Sequence, residues 1–78
     1  MEKITRNEYL RTTIDINNGC YYSIRLKDDE NIIYNVWSKK ENGKKVYFII
    51  KDDKEIVLDD EVKKWYLSDV REYERYGI

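Results

Sequence analysis

Apolar positions concentrate between Asn31 and Lys51, where two runs rich in β-branched and aromatic residues flank the polar Asn42-Gly43. Asn-Gly is a strong hairpin signal, because both residues tolerate the positive φ of a type I′ turn. With those two residues in the turn, Glu41 faces Lys44, Lys39 faces Val46, Trp37 faces Phe48 and Asn35 faces Ile50. A slip of one residue would exchange the two faces of the hairpin.

A strand from Cys20 to Lys27 precedes it, alternating Tyr22, Ile24 and Leu26 against Tyr21, Ser23 and Arg25. Turning through Asp28-Asp29-Glu30-Asn31 sets Leu26 opposite Ile33 and Tyr22 opposite Trp37. The predicted core face is then Tyr22, Ile24, Leu26, Ile33, Trp37, Val46, Phe48 and Ile50. The other face carries Tyr21, Ser23, Arg25, Ile32, Tyr34, Val36, Tyr47, Ile49 and Lys51, with Arg25, Tyr34 and Lys51 in one cross-strand row.

The flanks read as helices. Thr5 and Glu8 have capping-box spacing, and Ile4 and Tyr9 occupy staple positions, so a short helix is expected to start at Thr5 and fade near Thr12-Thr13. Alternation of Leu10, Thr12, Ile14 and Ile16 offers a competing strand that turns at Asn17-Asn18-Gly19. Ile56-Val57-Leu58 fits a short extended segment or an added edge strand. Asp59-Asp60-Glu61 then places carboxylates where a helix start favours them. That last helix is expected from about Asp60 to Tyr76, stopped by Gly77. Its apolar stripe of Val62, Trp65, Tyr66, Val70, Tyr73 and Tyr76 would cover the Trp37–Phe48 face. Asp69 falls inside the stripe, which is unusual for a carboxylate; it is expected to sit at the edge and bond a Tyr hydroxyl or an Arg. The predicted fold is α+β: a three-stranded antiparallel meander against a C-terminal helix, with a short N-terminal helix (α-β-β-β-α). Its order is similar to the double-stranded-RNA-binding domain, but the basic helix-start motif of that family is missing.

Composition narrows the function classes. Seventy-eight residues make one domain, 1–78, and 41% apolar content indicates a folded one despite 40% charge. There is no histidine, which removes the commonest general base and metal ligand. Cys20 is the only cysteine, so neither an intramolecular disulfide nor a Cys-based zinc site can form. No carboxylate spacing fits an EF-hand loop. The reading is a non-enzymatic protein with no cofactor and no metal. No apolar run approaches membrane-spanning length, and a cytoplasmic location is expected.

Charge, though nearly balanced at −1, is expected to be polar in arrangement. In a meander the turns at 28–30 and 52–55 share one end, and the last helix should start there too. Asp28, Asp29, Glu30, Asp52, Asp53, Glu55, Asp59, Asp60 and Glu61 would gather at that end, and Lys39, Lys40, Lys44 and Lys45 at the other. Such clustering would steer a basic partner.

In its size, its composition and this acidic pole, the chain resembles the small phage-encoded inhibitors of bacterial defence, anti-CRISPR proteins above all. The resemblance implies a stoichiometric inhibitor of phage or mobile-element origin, acting in the cytoplasm of a bacterial host; an open strand edge leaves it a monomer or a homodimer. Its nine carboxylates would occupy the basic nucleic-acid channel of a defence effector as phosphates do, with Tyr34 and Tyr47 as anchors. The alternative is a small nucleic-acid-binding regulator using Lys39, Lys40, Lys44 and Lys45 with the Arg25–Tyr34–Lys51 row.

Overall fold

The computed structural model describes residues 2–19 and 21–76. Its elements are β1 (Lys3–Ile4), β2 (Tyr9–Asp15), a 3-10 turn (Ile16–Asn18), β3 (Tyr21–Leu26), β4 (Asp29–Asn35), β5 (Trp37–Glu41), β6 (Lys44–Lys51), β7 (Lys54–Leu58) and α1 (Asp60–Tyr76). β2, β3 and β4 form one sheet; β1, β7, β6 and β5, in that order, form another. The expected single meander with an N-terminal helix is therefore wrong: the fold is mostly β, with two sheets and one helix. The expected strand start at Cys20 and helix stop at Gly77 lie outside the described residues.

The Asn42-Gly43 hairpin forms in the expected register, from Trp37 opposite Phe48 to Glu41 opposite Lys44. Asn42 and Gly43 take φ of 51° and 79°. The last helix also spans its expected residues. Asp59 caps it: its Oδ1 accepts the Val62 amide at 2.8 Å, satisfying one of the helix's free N–H groups.

The N-terminal helix is replaced by a turn and a strand. Glu8 does reach back to Thr5, accepting its amide at 3.2 Å and its hydroxyl at 3.0 Å. A single turn satisfies that capping signature. Beyond it the β-branched Thr12, Thr13 and Ile14 pair with Ile24, Ser23 and Tyr22 of β3. The competing strand, with its turn at Asn17-Asn18-Gly19, is the arrangement adopted, and Gly19 supplies the left-handed φ of 86°.

The β3–β4 register departs from expectation, by four residues at Leu26 and by one residue from Ile24 onward. The turn is the two-residue Lys27-Asp28, with Leu26 opposite Asp29. An irregularity in β4 then brings Tyr34 opposite Ile24 and Asn35 opposite Ser23. Tyr34 and Val36 consequently point inward and Trp37 outward. The face set by the hairpin's correct register is thus the opposite one. Ile49 is fully buried, while Trp37 and Ile50 remain 47% and 48% exposed.

Val36 lies between β4 and β5, so one nearly continuous length of chain passes from the first sheet into the second. The core fills the space between the two sheets: Ile24 and Leu26 from one, Ile4, Ile49 and Leu58 from the other. α1 closes that space with Val62 and Tyr66, on the sheet face away from the solvent side of Trp37. Its rings meet Tyr47 at 5.6 Å from Tyr66, Tyr9 at 5.6 Å from Trp65 and Tyr22 at 6.3 Å from Tyr73. β7 is a full strand antiparallel to β6, and β1 adds to it in parallel.

Candidate interaction surfaces

The direction of β7 decides where the charges fall. Lys54 pairs with Lys51, and the chain then runs back alongside β6 until Val57 faces Phe48. α1 therefore begins beside the lysine-bearing hairpin tip, and Asp60 shares a groove with Lys44, Lys45 and Lys63. The nine carboxylates do not form one pole. Asp28, Asp29, Glu30, Asp52 and Asp53 hold the expected end, where Asp29 lies 3.9 Å from Lys51 and 3.4 Å from the Tyr34 hydroxyl that donates to it. Glu55 lies on β7, 3.0 Å from Lys39. Asp59, Asp60 and Glu61 are at the opposite end, with Asp59 capping the helix and Glu61 paired to Arg6 at 3.3 Å.

The proposed anchors Tyr34 and Tyr47 are partly buried against the core. Burial, followed by the nearby Asp29 carboxylate, raises the Tyr34 phenol above its ordinary pKa. Tyr47 lies beneath the Lys45 and Lys63 ammonium groups, 5.6 and 5.8 Å from its ring centre. The Arg25–Tyr34–Lys51 row does not form. Tyr34 faces Ile24, so Arg25 points to the other side and donates to the Glu30 carbonyl. Lys51 does stay near Tyr34 through Asp29. Lys39 is drawn from the basic tip by Glu55 and by Glu41 at 3.6 Å, and lies over the Phe48 ring at 5.2 Å. Lys40, Lys44 and Lys45 remain at the tip.

Two surfaces result. The first is the outer face of the four-stranded sheet, where Trp37, Phe48 and Val57 stand opposite one another across three strands. Tyr21, 51% exposed, extends it with a ring 6.0 Å from Trp37, and Ile50 continues it towards the Asp52-Asp53 turn. Sequence reasoning assigned Trp37, Phe48 and Ile50 to the core. Their alternation was legible, but which side α1 covers depends on the β3–β4 irregularity. The second surface is the groove at the hairpin tip, to which β1 contributes Lys3 and α1 contributes Lys63. Neither lysine had been singled out, because only the full β7 brings their elements to this end.

The remaining polar cluster is interior. The Tyr9 hydroxyl donates to Asp69 at 2.8 Å and meets the Thr12 hydroxyl, which is the satisfaction expected of Asp69 at the edge of the stripe. Burial, with Asp69 adding to it, pushes the Tyr9 phenol far above its ordinary pKa, so it stays protonated and is a poor nucleophile. A cleft of about 390 Å³ opens beside it, lined by Thr12, Asp69, Glu72, Tyr73 and Tyr76. Among the described residues no group of three or more His, Cys, Asp or Glu is placed to hold a metal ion, and no helix is long and apolar enough to cross a membrane. Comparison with protein-family models, with curated proteins and with solved structures gives no match.

Proposed function

We propose that the chain is a non-enzymatic, protein-binding protein, and that it binds through the outer face of its four-stranded sheet. The supporting observation is the half-exposed Trp37–Tyr21–Ile50 surface, backed by Phe48 and Val57, on a platform of three paired strands. Contiguous exposed apolar surface on a small protein marks interaction sites, and Trp and Tyr are the side chains that most often anchor them. The Lys39–Glu55 pair spans Phe48 and forms part of a polar rim.

The partner this surface fits is a protein with an apolar contact area bordered by basic groups. Asp52 and Asp53 follow directly on Ile50, and Asp28, Asp29 and Glu30 lie at the same end. Five carboxylates would therefore meet the partner beside its apolar contact and speed its approach. In its narrower form the proposal remains a stoichiometric inhibitor of a bacterial defence effector. The nine-carboxylate mimic of a phosphate backbone is replaced by an aromatic face with an acidic rim.

Affinity capture from a nuclease-treated bacterial lysate tests this, using three baits: the natural chain, Trp37→Ser/Ile50→Lys, and Asp28→Lys/Asp52→Lys. A prey retained by the natural chain should be lost with the face variant and should associate more slowly with the rim variant. A prey profile that does not change with the face variant would refute the assignment.

A further inference from the structure

A separate site lies at the other end of the molecule. The β6–β7 ladder ends at Phe48–Val57, so the Lys45 carbonyl lies beyond it, and Lys63 of α1 donates to that carbonyl at 3.0 Å. This bond holds the Lys63 ammonium over Tyr47, beside that of Lys45. Lys40 stands directly opposite Lys45 on the same face of the hairpin. Lys3 and Lys44 line a groove of about 190 Å³ together with Lys45 and Lys63. Like charges placed opposite one another across a strand pair are destabilising, and none of these five lysines is in an ion pair among the described residues. Two carboxylates, Glu41 and Asp60, also line the groove. The other acids of the helix start are engaged elsewhere, Asp59 with the Val62 amide and Glu61 with Arg6.

We propose that this groove binds the phosphate groups of a single-stranded nucleic acid. Four ammonium groups line the groove against two carboxylates, with Lys40 opposite Lys45 outside the lining, and they leave a local excess of positive charge that an anion would neutralise. The charges surround a concave pocket instead of following a straight ridge. A flexible strand can lower one phosphate at a time into such a pocket, which the fixed phosphate rows of a duplex cannot do. Tyr47 is already covered by Tyr66 and the two lysines, so contact is with the backbone and carries no base preference.

The test is fluorescence anisotropy of a labelled oligothymidylate across a salt series at low ionic strength. Binding should weaken with salt, with a slope of about −0.7 per phosphate neutralised. Lys45→Gln/Lys63→Gln should lower affinity about tenfold or more and make the slope shallower by about 1.4. Lys45→Arg/Lys63→Arg should retain both, and Lys51→Gln/Lys54→Gln, at the far end, should change affinity less than twofold. Circular dichroism confirms that each variant is folded. No binding at low salt overturns the proposal, and so does equal loss from both glutamine pairs, which would mean diffuse attraction to lysine at large. Trp37→Ser/Ile50→Lys should leave this binding intact, so the outcome is independent of the protein-binding surface.

Discussion

At the scale of single residues, the buried tyrosines give the clearest solution signature. Burial raises the Tyr66 phenol from its ordinary value of 10.0 to about 12, with Tyr47 and Tyr22 adding to the effect. The folded state therefore holds this proton more tightly than the unfolded chain does. Its contribution is fully present below pH 10 and is lost as pH rises from about 10 towards 12, amounting to roughly 2–3 kcal/mol across that window. Phenolate absorbance should show Tyr66 and Tyr9 ionising after the exposed tyrosines, and Tyr66→Phe should flatten the alkaline loss of stability. Simultaneous ionisation of all eight tyrosines in the folded protein would contradict this. A second local feature is Asp59. Asp59→Ala should cost about 1 kcal/mol in urea unfolding, because the Val62 amide loses its acceptor.

At the scale of elements, the hairpin and the last helix were legible because their signals are local. Two turn residues fix the pairing from Trp37 to Phe48, and an acidic start followed by a periodic stripe fixes α1. The capping-box spacing of Thr5 and Glu8 was equally real, but one turn is enough to satisfy it, and strand pairing with β3 claimed the residues beyond. The β3–β4 connection was not legible. A two-residue turn and a later irregularity give the same length of chain as a longer turn would, yet they shift the pairing by one residue. That shift reverses inside and outside. Ile49→Ala should therefore cost about 2–5 kcal/mol in urea unfolding, as buried aliphatic truncations do. Trp37→Ser should cost less than Ile49→Ala, since half of the Trp37 surface is already in water. The core face expected from the sequence demands the reverse order, so the pair of measurements separates the two registers.

At the scale of the whole molecule, five residues settle the distribution of charge. Had Ile56-Val57-Leu58 been a loop, α1 could have started beside the Asp28 and Asp52 turns. As a full strand, β7 returns the chain to the hairpin tip and takes Asp59, Asp60 and Glu61 with it. The alternation of so short a run could not show whether it would pair. The resulting molecule has an aromatic side wall, an acidic end and a lysine-rimmed groove, with separate variants for each.

β1 sets a limit on how this protein can be made. Lys3 and Ile4 pair with Val57 and Leu58, and the Asp59 amide donates to the Ile4 carbonyl at 3.1 Å. During synthesis β1 must wait, without its neighbour, until Val57 and Leu58 have left the ribosome. Contacts between such distant segments carry a loop-closure penalty that slows folding. Completion of the four-stranded sheet is thus a late step in folding, and a nascent chain stalled before Val57 emerges would display Ile4 with no strand to receive it.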